Sequence, residues 1–167
     1  MRKHLIIIFC FGILSTSCIL FRPASEGTLV ESEPISKSSP DSDIVEIARS
    51  LEGIPYKYGG TTKRGFDCSG FTSYVYAKNN ASLPRTSAEQ ETYAKSVKIK
   101  DLQAGDLVFF RPNKVGKVFH VALVVDNSRE GIIVIHSTSS RGVIEENISK
   151  SSYWTKKYWT GGRIYNE

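Results

Sequence analysis

The chain has 167 residues, 40% hydrophobic and 23% charged, which is ordinary for one globular domain with an appendage and wrong for a disordered protein. No apolar run reaches the 18 or more residues of a membrane-spanning helix, so a polytopic membrane protein is excluded. The net charge of +5 is too weak to point to nucleic acid, and RNP, zinc-finger and dense Lys/Arg patterns are absent.

Met1-Arg2-Lys3-His4 is a short cationic start to the ten apolar residues Leu5 to Leu14. Small residues Ser15-Thr16-Ser17 follow, and then Cys18. Ten apolar residues are too few for a stable bilayer span but suit the core of a secretory signal. Residues 1–17 therefore read as a signal peptide, with a buried terminal helix as the alternative. Apolar core, small residues and Cys resemble the lipobox of bacterial lipoproteins, in which the Cys is acylated and becomes the new N-terminus. Leu14 stands four residues before Cys18, where the usual box has it three before, so cleavage by an ordinary signal peptidase near Ser17 is the competing reading. Removal of Arg2 and Lys3 would leave 20 basic residues against 17 acidic, a net +3 suited to an anionic surface. The expected location is the cell envelope, lipid-anchored to a bacterial membrane (the outer membrane if the organism has one).

Residues 18–42 are rich in Ser, Glu and Pro and lack periodicity, which predicts a flexible tether able to reach roughly 80 Å when extended. The folded domain is expected over 43–167. Ile44, Ile47, Ala48 and Leu51 give one apolar helix face, with Ser42 as N-cap and Gly53-Ile54-Pro55 as a stop. Tyr56 to Phe66 is a Gly-rich loop. A second helix is predicted from Cys68 to Lys78, stopped at Asn79-Asn80. The capping box Thr86-Ser87-Ala88-Glu89 opens a third, to about Lys95. Strands are then predicted at 107–111, 120–125, 132–136, 143–145 and 163–165. Helices first and a meandering sheet second read as α+β with an antiparallel sheet of about five strands.

With Cys10 in the signal and Cys18 at its end, Cys68 is the one thiol left in the domain, so no disulfide is expected there. A thiol at a helix N-terminus is placed to favour thiolate. A hairpin centred on Ser128 would set His120 directly opposite His136, on a face shared with Ala122, Val124, Ile132 and Val134 and expected to pack on the helices. Cys–His with a polar orienter is the arrangement of an acyl-transfer triad. Core filler, satisfied buried histidines, and a zinc site made from Cys and two His are the alternatives that spacing alone leaves open.

Five blocks sharpen the choice: Gly53–Gly60 (GIPYKYGG), Gly65–Phe71 (GFDCSGF), Leu83–Ser87 (LPRTS), Leu102–Phe110 (LQAGDLVFF) and His120–Val124 (HVALV). In this order they resemble the NlpC-type papain-like cysteine peptidases of bacteria. The resemblance runs from about Asp43 to the C-terminus. It implies a papain-like fold with Cys68 as nucleophile, His120 as general base and His136 as its orienter. Tyr56 would assist the oxyanion hole beside the Cys68 backbone N–H, and Asp67 and Ser69 would contact the substrate. The implied substrate is a peptidoglycan stem peptide, cut at a D-γ-glutamyl–diaminopimelate or D,D-cross-link bond by a monomer with no cofactor or metal. A wall-binding lipoprotein without turnover, or an acyltransferase or amidase on the same scaffold, is the competing function. Gly59, Gly60 and Gly65 are expected to serve turns, Asp106 to fix a turn, and Arg85 to form an ion pair. Tyr153, Trp154, Tyr158 and Trp159 are expected as packing and rim cover rather than a sugar platform.

Overall fold

The computed structural model describes residues 40–165, so the signal segment, Cys18 and the tether up to residue 39 lie outside the described residues. No described helix is long and apolar enough to cross a membrane. Helix α1 spans Pro40–Arg49, three residues earlier than the periodicity suggests, so Ser42 lies inside it rather than capping it. Proline suits a first helical turn because its missing N–H has no intrahelical partner there.

Two short strands, β1 (Thr61–Thr62) and β2 (Gly65–Phe66), form a small hairpin within the Gly-rich loop. Helix α2 spans Cys68–Lys78, and Asp67 caps it by accepting the Gly70 N–H at 2.7 Å. Gly70 has no substitute: a Cβ there would lie 2.0 Å from the Gly60 carbonyl oxygen, so the loop presses directly on the first turn of α2. Helix α3 (Ser87–Tyr93) opens with the expected Thr86–Glu89 capping box but ends two residues before Lys95. Fully buried Gln90 fastens α3 to α2, accepting from Thr72 and donating to the Ser69 carbonyl and the Ser73 hydroxyl.

The main sheet is antiparallel and has six strands: β3 (Lys95–Val97), β4 (Leu107–Phe110), β5 (His120–Ser128), β6 (Gly131–Thr138), β7 (Gly142–Asn147) and β8 (Tyr158–Arg163). Their order is β3-β8-β4-β5-β6-β7. The α+β reading holds, with two departures. The edge strand β3 had no alternation to announce it. The last strand covers 158–163 rather than 163–165, and Gly161-Gly162 lies inside it as a packing device. A Cβ at Gly161 would lie 2.5 Å from the Leu102 side chain, and one at Gly162 2.6 Å from the Ala94 side chain.

The sheet has two differently used faces. Leu107, Phe109, Val121, Leu123, Val125, Ile135 and Val143 pack on Ile44, Val45, Ala48 and Leu51 of α1 and its end, and on Phe71, Val75 and Tyr76 of α2. Val108, Phe110, Ala122, Val124, Ile132 and Val134 point the other way, onto Leu102, Ile148 and Trp154. The face predicted to carry the histidines therefore does not pack on the helices. Alternation is right, but the helices take the opposite face.

Candidate active site

The hairpin of β5 and β6 is tighter than the sequence suggests. Both strands run on to Ser128 and Gly131, which pair, leaving Arg129-Glu130 as the turn. A bulge at Val125 follows, between the Val124–Val134 and Asp126–Ile133 pairs. Leu123 then lies opposite Ile135, which brings Ala122, not His120, opposite His136. Gly131, at φ +113°, permits the tight reversal. The slip amounts to two residues, so both histidines keep the same face and meet diagonally.

They still touch. His120 Nε2 lies 2.9 Å from His136 Nδ1, with ring centroids 5.0 Å apart and planes at 74°. His120 is 8% exposed and His136 is wholly buried. The indole of Trp154 stacks on His120 at 4.7 Å and 26°, and lies 5.2 Å from His136. Phe110, paired opposite His120 on β4, closes the remaining side at 5.7 Å. On its far side His136 Nε2 lies 2.7 Å from Glu146 Oε1, which also accepts from Arg141 Nη2 at 2.9 Å and Trp154 Nε1 at 3.0 Å. These contacts hold the Glu146 carboxyl at a pKa of about 2, the bond from His136 being the largest cause.

Cys68, the first residue of α2, is half-buried and reduced. The backbone N–H of Val121 acts on its sulfur to favour the thiolate, which sets the thiol near the His120–Val121 step of β5. Thiol and imidazole share one cleft of about 400 Å³, whose walls include Tyr56, Ser137–Arg141, Glu146, Tyr153 and Trp154. Burial pushes the Cys68 thiol up, with Asp67 adding to it, against the N–H groups of Val121 and Ser69. Burial pushes His120 well down, helped by His136 and opposed by Glu146. Desolvation thus outweighs the helix N-terminus, and the thiolate expected from that terminus is not the favoured resting form.

Tyr56 lines the cleft, and its hydroxyl is raised by burial and by Cys68 and Asp67. Asp67 and Ser69 do not line it. Asp67 forms a two-bond ion pair with Arg85 at 3.1 and 2.6 Å, and Arg85 also donates to the Ser69 hydroxyl at 3.1 Å. Arg85 is thus the ion-pair partner that its position suggested. Asp106 accepts the Gln103 N–H at 2.8 Å and holds Arg163 through two bonds of 2.7 Å. Tyr153 is half-exposed on the cleft wall, whereas Trp154 belongs to the site itself. Among the described residues no group of three or more His, Cys, Asp or Glu side chains is arranged to hold a metal ion.

Glu146 and Arg141 escaped the sequence reading, whereas Trp154, expected as packing, does pack, against both histidines. Glu146 was one residue beyond the predicted strand 143–145. Carried one step further, alternation sets it on the same face as Ile144, the residue opposite His136.

The chain is similar to proteins already known. The chain is 42% identical over 124 residues to the gamma-DL-glutamyl hydrolase of Bacillus subtilis (strain 168), covering 72% of this chain and 29% of that protein. It is 35% identical over 124 residues to the murein DD-endopeptidase MepS/murein LD-carboxypeptidase of Escherichia coli (strain K12), covering 74% and 62%. It therefore spans less than two thirds of either relative's length. The crystal structure of an NlpC/P60 family protein from Bacillus cereus ATCC 10987 superposes with a TM-score of 0.68 at 31% identity, over 74% of this chain and 39% of that one. The pattern that defines the family matches residues 53–163, from the Gly-rich loop to the end of β8, and the chain belongs to the NlpC/P60 family of cysteine peptidases.

Proposed function

We propose that the protein hydrolyses peptidoglycan stem peptides through Cys68, His120 and His136. The observation that carries this reading is the hydrogen-bonded pair His120–His136 opening on the cleft that holds the Cys68 thiol. The two curated relatives, one a gamma-DL-glutamyl hydrolase and one a murein DD-endopeptidase, support the substrate class and the two candidate bonds.

His136 occupies Nε2 of His120, so Nδ1 is the nitrogen available for the thiol proton. As that proton leaves, sulfur attacks the scissile carbonyl carbon and the carbonyl π pair moves onto oxygen. The Cys68 N–H and the Tyr56 hydroxyl are the proposed donors to this oxyanion. Collapse expels the amine, which takes the proton from His120 Nδ1 and leaves a thioester. Water, deprotonated by His120, then attacks the thioester, releases the new carboxylic acid and restores the thiol. Asp67 and Ser69, beside the nucleophile, are proposed to contact the substrate peptide through the edge of the Arg85 cluster. Lipidation at Cys18 would hold the enzyme at a bacterial envelope membrane, and mass spectrometry of the processed N-terminus decides that part directly.

Incubating the purified chain with muropeptides and reading product masses tests the activity and identifies the bond. Masses split at D-γ-glutamyl–diaminopimelate or at the D,D-cross-link are expected, with inactivation by iodoacetamide and none by a chelator. Intact muropeptides, or activity lost in chelator and restored by zinc, would overturn the reading.

A further inference from the structure

Oxygen Oε1 of Glu146 collects three N–H donors, and a carboxylate so surrounded stays ionised well below neutrality. An ionised carboxylate can only accept, so the bond of 2.7 Å to His136 requires the hydrogen on His136 Nε2. With His136 as the neutral Nε2–H tautomer, its Nδ1 offers a lone pair and His120 donates from Nε2 across the 2.9 Å contact. His120 is left with its lone pair on Nδ1, the form a base for the thiol must have. With that tautomer of His136, the position of every hydrogen along the string is set from its anionic end.

We propose that Glu146 is a positioning residue of the hydrolytic site: acting through His136, its carboxylate holds His120 as the Nε2–H tautomer and offsets the positive charge that His120 gains with the thiol proton. The proposal rests on the reading of Cys68 and His120 as the reacting pair. Among the described residues, the ionisable groups facing this string are His136 from β6, Arg141 from the β6–β7 turn, His120 from β5, Cys68 from α2, Tyr56 from the Gly-rich loop and Tyr153 beside Trp154. The neighbouring Glu145 pairs with Arg49, away from the string. Arg141 is half-exposed, so it tempers the Glu146 charge without cancelling it.

Glu146→Gln keeps an oxygen that can accept all three N–H groups and removes only the charge. The chain contains three histidines, His4, His120 and His136, so ¹⁵N-histidine labelling of the full chain gives readable ring spectra. Wild-type His120 should show a protonated Nε2 and a bare Nδ1. In Glu146→Gln its titration midpoint should fall by about one pH unit, as expected when a nearby opposite charge is lost. Muropeptide turnover should fall roughly tenfold or more in kcat, with little change in KM. Arg141→Gln should move the midpoint the other way, because it leaves the Glu146 charge less neutralised. Glu146→Asp should recover part of the kcat. A bare Nε2 on His120 in the wild type, or an unchanged His120 midpoint in folded Glu146→Gln, would overturn the proposal. Should that variant not fold, an unmoved or lowered midpoint in Arg141→Gln would do so. If the wild-type chain cleaves no muropeptide, the functional reading fails while the histidine spectra still decide the role of Glu146.

Discussion

The two faces of the main sheet differ in what they bury. On the helix side, Leu107, Phe109, Val121, Leu123 and Ile135 are fully covered by α1 and α2, and every one is apolar. On the other side, Val108, Phe110, Ala122, Val124 and Val134 are equally covered, yet the same face also holds His120, His136 and the half-buried Glu146. Removing polar groups from water costs free energy unless their hydrogen bonds are replaced, and here each polar group meets the next. One face supplies stability and the other supports an ordered string of donors and acceptors. The Gly-rich loop and first turn of α2, anchored in the helix-side core by Phe66 and Phe71, bring the thiol to the start of β5.

The strongest way to break that division is at the reacting atoms. Cys68→Ala removes the nucleophile and His120→Ala the proton carrier, whose contribution is typically about 10²–10⁴-fold in rate. Both should abolish measurable muropeptide cleavage, and Cys68→Ala should leave the denaturation midpoint close to wild type. Cleavage by Cys68→Ala above a few per cent of the wild-type rate would remove the thiol from the mechanism.

Next in size is the opposite face. Phe109 is fully buried on the central strand β4, and truncation of such a side chain costs about 3–5 kcal/mol. Phe109→Ala should lower unfolding free energy by that order while the folded fraction keeps its turnover. Denaturant titration and active-site counting by thiol alkylation measure the two quantities separately. A large loss of turnover per folded molecule would mean that the faces are coupled.

Within the site the expected losses are graded. Tyr56→Phe deletes one proposed oxyanion donor and should reduce kcat by about 10²-fold. His136→Asn should be milder, because an amide oxygen can still accept from His120 Nε2 and preserve its tautomer. If His136→Asn were as inactive as His120→Ala, with both folded, His136 would be doing more than orienting.

Much of this was legible in the sequence, and the failures have physical causes. Period-2 alternation placed both histidines on one face, and it survived a register error because a shift of two residues preserves the face. The register itself was hidden, since the two-residue turn depends on the φ of Gly131 and no residue type marks the bulge at Val125. Alternation also says nothing about which face the helices cover, because both faces of β5 are apolar. Glu146 was missed, and Trp154 was expected as packing alone, because polar and aromatic residues near the end of a chain resemble surface cover. They become site residues only when β7 and the following turn fold back against His136. The start of the last strand was hidden because the sequence cannot display the Leu102 and Ala94 side chains that pack against Gly161-Gly162 inside it.

The smallest expected effect tests the segment that carries the thiol. Asp67 caps α2 and pairs with Arg85, and its charge raises the Cys68 thiol. Asp67→Asn should retain the cap, since asparagine serves as well at that position, while removing the negative charge and leaving Arg85 unneutralised. Both changes favour thiolate, so the midpoint of the pH–alkylation curve with iodoacetamide should move to lower pH, giving a few-fold faster alkylation below it. This measurement needs no substrate. A separate rise in KM for muropeptides, with the alkylation shift present, is the outcome expected if Asp67 also meets the peptide. An unshifted alkylation curve in the folded variant would show that the Arg85 pair already screens the thiol from Asp67. The burial of Cys68 against the sheet would then account for its raised pKa without help from that charge.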